Sequence, residues 1–364
     1  MKFKITKAQF IEGLKGVQNI VGAKSSLPIL QNVLLEAEGN TLTMTTTDLD
    51  ISIKSSVECE VVESGSSTLP AKLLFNSISK AGEVPVEVDV GEEQKGTIVA
   101  GSAKFHLSGL PSSDFPRLPE GDDSFVYEME SQTLKEMLRK TAYAASQDDT
   151  RRTLKGVLMS FKDMKLTMVA TDGRRLALVE KEMEISKDSE RDIVLPSKTV
   201  QELQRSLGSD GNVKIMVEKS QVCFEMKNLK IYSKLIDDIY PNYSVVIPRE
   251  HKETIAIDRQ LLLDALERTS VMSMDEAHSI RLSFEDNRLS VSSAASEIGS
   301  ASDEVPIKYA GEKIEIMFNP TYVMDPLKAI DDDEVRIEIK DGHAPVVIRC
   351  SIPFLYVLMP LRVA

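Results

Sequence analysis

The sequence contains the same plan three times, and this constrains its fold more than any single motif. Thr41-Leu42-Thr43-Met44-Thr45-Thr46-Thr47-Asp48 returns 124 residues later as Lys165-Leu166-Thr167-Met168-Val169-Ala170-Thr171-Asp172. At the same offset Phe3, Ile5, Phe10 and Leu14 fall on Tyr127, Met129, Leu134 and Leu138, and an offset of 252 lands them on Ile255, Ile257, Leu262 and Leu266. Leu69-Pro70 likewise returns as Leu195-Pro196 and Asn319-Pro320. A chain of 364 residues exceeds what one hydrophobic core holds, roughly 250–300 residues. Self-similarity sets the number of units at three, each too long for a solenoid repeat and right for a small domain. The expected domains are 1–120, 125–247 and 252–364.

Each repeat carries the same order of periodicities. A short alternating strand comes first, such as Lys2-Phe3-Lys4-Ile5 or Thr254-Ile255-Ala256-Ile257, and a helix follows with apolar residues three and four apart, such as Phe10, Leu14 and Val17. Alternating strands come next, and then a second helix, expected to carry Pro70, Pro196 or Pro320 in its first turn, where the missing N–H costs nothing. The spacing places helices over 7–20, 71–81, 131–146, 197–207, 258–272 and 320–330. Two helices on an antiparallel sheet make each repeat an α+β domain.

Motifs for catalysis are missing. The sequence has no Gly-rich dinucleotide fingerprint, Walker sequence, HExxH or GxSxG elbow. His106, His251, His278 and His343 have no ligand spacing, so no metal or cofactor is expected. The run Asp331-Asp332-Asp333-Glu334 occupies a loop position and reads as a solvated turn rather than a Mg²⁺ site. Cys59, Cys223 and Cys350 are far apart in strand-like runs, which suggests reduced thiols in a cytoplasmic protein. Apolar runs fall short of the roughly 18 residues that a membrane helix needs, and no secretory leader opens the chain.

The net charge of −13 argues at first against nucleic acid. Dividing it by element changes that reading. The six expected helices hold twelve Lys and Arg against seven acids, a sum of +5, and the remainder carries −18. Glu favours helices about as much as Lys and Arg do, so its scarcity there points to a basic helical surface. Spread over many helices and without a base-reading motif, such a surface would attract phosphates weakly and without sequence preference.

Six segments follow one another along the chain: Met1-Lys2-Phe3-Lys4, Leu27-Pro28-Ile29-Leu30-Gln31-Asn32-Val33, Ser113-Asp114-Phe115-Pro116, Ala170-Thr171-Asp172-Gly173-Arg174-Arg175-Leu176, Tyr240-Pro241-Asn242-Tyr243 and Val357-Leu358-Met359-Pro360-Leu361-Arg362. In this order they resemble the bacterial DNA polymerase III beta subunit, the sliding-clamp family. The resemblance covers essentially the whole chain. It implies the DNA clamp fold: a head-to-tail homodimeric ring whose helices line a hole for double-stranded DNA, serving as a non-catalytic processivity factor. The implied partners are the DNA polymerase III catalytic subunit, the clamp loader complex, and other polymerases and repair proteins carrying clamp-binding peptides.

The resemblance also implies residue roles. A pocket for linear peptides with apolar and aromatic anchors would use Leu154, Thr171, Gly173, Arg174, Arg175, Leu176, Pro241, Val246, Tyr322, Val357, Met359, Pro360 and Leu361, with Arg152 and Asn319 at its rim. Leu, Val and Met suit such anchors. DNA-facing candidates are Lys24, Lys72, Lys80, Arg139, Lys198 and Arg205, and the dimer contact would use Phe105, Leu107, Val271 and Met272. The chain departs from the family pattern at Lys24, where an arginine is familiar, at Val245, where many relatives carry arginine, and at Arg174, where some carry histidine. Lys24 keeps the charge but loses bidentate phosphate geometry. Read without the resemblance, Met359-Pro360-Leu361 is a closing strand and Thr171-Asp172-Gly173 a turn. A peptide-binding hub that does not encircle DNA and an enzyme with a dispersed site stand as the other readings. The helical charge weighs against the first and the missing motifs against the second.

Overall fold

The computed structural model describes residues 1–22, 27–91, 93–118, 125–272, 279–293, 299–350 and 353–361. Among them are six α-helices: α1 (Lys7–Val17), α2 (Ala71–Lys80), α3 (Ser131–Thr141), α4 (Ser197–Ser206), α5 (Arg259–Ser270) and α6 (Pro320–Ala329). Each lies inside the span that apolar spacing marks out, and the ends differ for local reasons. α3 stops at Thr141, whose hydroxyl donates to the Met137 carbonyl at 2.8 Å, and the chain tightens into a 3₁₀ turn at Ala142–Ala144. That back-bond competes with the helix ladder. Pro70 and Pro196 do not enter helices. They end the strands Gly65–Pro70 and Arg191–Pro196, paired with Asn32 and Gly156, so the following helices begin one residue later. Pro320 alone takes the first helical position, after Asn319, whose side chain accepts from the Thr321 N–H at 2.9 Å.

The chain divides into two compact units, Met1–Lys135 with Gln201–Leu235, and Glu136–Val200 with Ile236–Ala364. The first contains an eight-stranded antiparallel sheet ordered Phe125–Glu130, Asn212–Val217, Gln221–Met226, Leu229–Lys234, Ile51–Glu58, Thr41–Thr47, Asn32–Glu38 and Gly65–Pro70. Four of these strands come from the middle repeat and four from the first. The seam between them is a main-chain ladder that sets Ile231 opposite Ile53. A second sheet is ordered Glu60–Glu63, Lys2–Ile5, Val86–Val90, Lys95–Ala100 and Ala103–Ser108. α1 packs on the strands Thr41–Thr47 and Ile51–Glu58 and against α2. It buries Phe10, Leu14 and Val17, with Phe10 edge-on to Phe3. Gly13 lets the Met44 side chain lie directly on the helix, since a Cβ there would stand 2.0 Å from Met44 Cε.

The second unit repeats the arrangement. Its eight-stranded sheet runs Glu253–Asp258, Glu334–Ile339, Val346–Arg349, Phe354–Leu358, Arg175–Glu182, Lys165–Thr171, Gly156–Lys162 and Arg191–Pro196, with Tyr356 opposite Ala177 at the seam. A four-stranded sheet follows the order Ser302–Pro306, Arg288–Ser293, Ile280–Glu285 and Ile314–Phe318. α5 packs on α6 and on two of these strands, burying Leu262, Leu263, Ala265 and Leu266. Asp258 caps α5, accepting from the Leu261 N–H at 2.9 Å.

The acidic run 331–334 is more than a solvated turn. Asp331 forms a two-point ion pair with Arg139, which holds its carboxyl below the usual carboxylate range. The carbonyls of Asp332 and Asp333 accept from the side chain and the backbone N–H of Arg259, at 2.6 and 2.8 Å. Among the described residues no group of His, Cys, Asp and Glu is arranged to hold a metal ion, and no helix is long and apolar enough to cross a membrane.

None of the three cysteines is in a disulfide, and Cys223 is buried within its strand. Burial pushes its thiol up to about 11. Against an ordinary thiol near 8.5, the thiolate fraction at pH 8 falls by about 10²-fold. Iodoacetamide at pH 8 should therefore label Cys223 about 10²-fold more slowly in the native protein than in the urea-unfolded chain, as read by peptide mass spectrometry. Equal rates would contradict the burial.

Candidate functional site

The Thr171–Arg175 turn joins two strands of the second unit and is fixed by its own polar atoms. One oxygen of Asp172 accepts from the backbone N–H groups of Arg174 and Arg175, at 2.8 and 3.0 Å. The Thr171 hydroxyl donates to the Arg175 carbonyl at 2.6 Å and accepts from the Gly173 N–H at 3.1 Å. Gly173 has φ +85°, a left-handed conformation in which a side chain is disfavoured. Arg151 reaches in from the preceding loop, its guanidinium donating to the Asp172 carbonyl at 3.1 Å.

Arg175 is the centre of this arrangement rather than a free pocket cation. Its side chain is only 9% exposed and pairs with Asp172 at 3.1 Å and with Asp325 of α6. It also donates to the Tyr143 carbonyl at 2.6 Å, and its guanidinium carbon stands 4.2 Å from the Tyr322 ring centre. The Tyr356 hydroxyl donates to the Tyr322 carbonyl at 2.7 Å. Burial works against the charge of Arg175, but Tyr356 and the two carboxylates more than reverse that, so its pKa lies above that of an ordinary arginine. Tyr143, Asp325 and Tyr356 had no signal in the sequence, because they meet Arg175 from distant parts of the chain.

The other pocket candidates divide between buried floor and exposed lip. Leu176 and Val357 face each other across the seam, each 2% exposed, in a cluster with Leu158, Val169, Leu178, Val194, Val347 and Leu355. Ile236, Tyr240, Tyr243 and Ile247 pack over that cluster. Met359 and Leu361 stand out at 43% and 37% exposure. The Met359 N–H donates to the Arg174 carbonyl at 2.9 Å and the Leu361 N–H to the Met317 carbonyl at 2.7 Å, so the backbone beneath both is anchored. Pro360, Leu154 and Tyr322 are half-buried, while Gly173, Arg174, Arg152, Pro241 and Val246 are exposed. Leu154 is tied to the turn through Arg151, whose carbonyl accepts from the Leu154 N–H at 3.0 Å. Asn319 is committed to capping α6.

The DNA-facing candidates differ in how far their charge is already compensated. Lys72 and Lys80 of α2 are exposed and make no ion pair among the described residues. Lys198 is exposed at the start of α4. Arg139 is paired with Asp331, and Arg205 lies 3.6 Å from Glu202, a buried carboxylate that also accepts from Asn19 and Ser206. Lys24 lies outside the described residues. Within their observed bounds the helices hold twelve basic and six acidic residues, and the whole surplus sits on α1 to α4. Phe105 and Leu107 are half-buried on the outer strand Ala103–Ser108, while Val271 and Met272 follow α5 at 59% and 41% exposure.

Family models of the DNA polymerase III beta subunit match the chain in three parts: the N-terminal domain at residues 1–119, the central domain at 128–242 and the C-terminal domain at 244–362. The chain is similar to the beta sliding clamp of Pseudomonas aeruginosa, 33% identical over 367 residues with both chains fully covered. It is also similar to that of Chlamydia muridarum, 31% identical over 362 residues, covering all of this chain and 99% of the other. Among solved structures, it resembles the Pseudomonas aeruginosa clamp bound to griselimycin, with TM-score 0.96 and 32% identity, and the Bacillus subtilis clamp, with TM-score 0.95 and 28% identity. Both chains are fully covered in each case.

Replacing Arg175 with alanine should cost about 3–5 kcal/mol, because it strands two carboxylates in a largely dry site. Urea denaturation checks this. Pairing Arg175→Met with Asp325→Leu should recover only part of the loss, because Asp172 stays without its cation, and a single substitution without effect would contradict the assigned role.

Proposed function

Because the chain belongs to the DNA polymerase III beta-subunit family, the sliding clamps, we propose that two copies join head to tail into a ring around duplex DNA. The protein acts as the processivity clamp of the replicative polymerase. It is a non-catalytic accessory subunit working in the cytoplasm, and its three domains follow the repeats at 1–120, 125–247 and 252–364.

One observation carries the ring: the way strands join at repeat boundaries. The strand Leu229–Lys234 of the middle repeat pairs with Ile51–Glu58 of the first, and Phe354–Leu358 of the last pairs with Arg175–Glu182 of the middle. The equivalents left over are Ala103–Ser108 and Ser302–Pro306, each the outer strand of its own sheet. Outer strands present unpaired main-chain groups that invite a partner strand. In a second copy, Ala103–Ser108 of one protomer finds Ser302–Pro306 of the other, with Phe105, Leu107, Val271 and Met272 closing the contact. A heterologous contact of this kind closes when its rotation allows.

Lys72, Lys80, Lys198 and Lys24 give the ring a mobile hold on phosphates. Arg139 and Arg205 add to this hold through side chains that also meet Asp331 and Glu202. Loose contacts suit a ring that must slide, because the topological link rather than affinity retains it. The Met359–Leu361 lip, with Val246 and Tyr322, receives linear peptides from the polymerase III catalytic subunit, the clamp loader, and other polymerases and repair proteins. The buried Leu176–Val357 pair supports this lip from below.

Met359→Ala combined with Leu361→Ala should lower affinity for a peptide with leucine and phenylalanine anchors by at least about tenfold, read by fluorescence anisotropy. Both side chains are exposed, so stability should change by no more than about 1 kcal/mol. Unchanged affinity would remove the pocket assignment.

A further inference from the structure

The turn that shapes the peptide pocket is present a second time, in the first unit. One oxygen of Asp48 accepts from the N–H groups of Asp50 and Ile51, at 3.0 and 2.8 Å. The Thr47 hydroxyl donates to the Ile51 carbonyl at 3.1 Å and accepts from the Leu49 N–H at 3.0 Å. These bonds match those of Asp172 and Thr171 one for one. Leu49 takes the place of Gly173 and adopts the same left-handed backbone, φ +78°, although a leucine disfavours it. The closing strand is anchored in the same way: the Lys234 N–H donates to the Asp50 carbonyl at 3.0 Å, as the Met359 N–H does to that of Arg174.

A cleft of about 680 Å³ opens beside this second turn. That is within the range of ligand sites, roughly 300–1,000 Å³. Its walls come from the turn, from the strand ends around Gln221 and Lys234, and from Pro116-Arg117-Leu118, which follow the first repeat as Pro241 follows the second. The strand registers equate Ser52 with Leu176 and Tyr232 with Val357, while the matching anchor bonds equate Lys234 with Met359. An apolar floor and lip have thus become hydroxyls and a cation. Arg117 is exposed and has no ion pair among the described residues. Lys234 is 63% exposed and meets Asp50 at 3.1 Å; a pair so open to solvent exchanges readily for a ligand carboxylate. Leu49, Leu118 and Leu235 supply aliphatic surface between the charges.

We propose that this cleft is a second site for linear peptide segments, one that takes acidic side chains interspersed with aliphatic ones. The inference rests on reading the 171–176 turn as the edge of a peptide pocket. The cleft keeps the scaffold of that pocket and changes its selectivity, so one copy of the chain would hold two partners of different chemistry.

The test uses the full-length protein and a fluorescein-labelled octapeptide of alternating leucine and aspartate, with a leucine–lysine octapeptide as control. Saturable binding of the acidic peptide is expected, weakening as salt rises. Arg117→Glu and Lys234→Met should each lower that affinity at least fivefold, and Met359→Ala with Leu361→Ala should leave it unchanged. Arg117→Glu alters an exposed side chain, so it keeps the test valid if Lys234→Met perturbs folding. Absence of saturable binding, equal binding of the lysine peptide, or displacement by an eight-residue oligothymidylate would overturn the proposal. Loss of the acidic peptide in the Met359 and Leu361 variant would do the same, by placing it in the apolar pocket. Failure of an apolar-anchored peptide to bind while the acidic one still does would overturn the first pocket alone and leave this site standing.

Discussion

The architecture depends on a main-chain interaction, the antiparallel ladder that carries each eight-stranded sheet across a repeat boundary. At Ile231–Ile53 and again at Tyr356–Ala177, two repeats share one sheet, and the hydrogen bonds of the seam are the same as those within a repeat. Backbone groups bond whatever the side chains are, so the seam tolerates divergence between the copies. It also leaves each terminal repeat with an outer strand of the type that seams elsewhere consume. A repeat joined in this way calls for another at each end, and a closed assembly of two chains would pair both Ala103–Ser108 and Ser302–Pro306.

The two copies of the strand-end turn share one hydrogen-bonded scaffold and differ in the residues built around it. Asp48 and Asp172 hold their turns by equivalent hydrogen bonds, even though one turn places leucine and the other glycine in the left-handed position. A further difference lies two residues beyond the left-handed position. Ile51 is buried in the sheet, whereas Arg175 gathers Asp172, Asp325, Tyr143 and Tyr322 around a single guanidinium. That network binds the turn to α6 and sets the lip at Met359 on a rigid base. A binding site is more exact when the elements beneath it are locked.

Much of this was legible from residue order. Spacing of Phe10, Leu14 and Val17, and of Leu262 and Leu266, marks helices because burial on one face enforces a period near 3.6. The ends were less legible, because Thr141 and Pro196 act through a single hydrogen bond or a strand partner that no periodicity records. The pocket turn could be read as a turn, but not the role of Arg175, whose partner Asp325 is 150 residues away. The same holds for Arg139 and Asp331, 192 residues apart, where a helix cation and an acidic loop each had a reasonable separate reading. Long-range ion pairs depend on the finished fold, and sequence spacing carries no trace of them.

Charge placement links the fold to its use. A chain of net charge −13 keeps its basic surplus on the first four helices, and part of that surplus is already matched by Asp331 and Glu202. On the proposed reading, these helices would attract DNA only weakly, and retention would come from topology. The most direct measurement is retention of the protein on circular and on linearised DNA after loading by a clamp loader with ATP. A ring predicts stable retention on the circle and rapid loss from the linear form as it slides off free ends. Equal retention on both would contradict it.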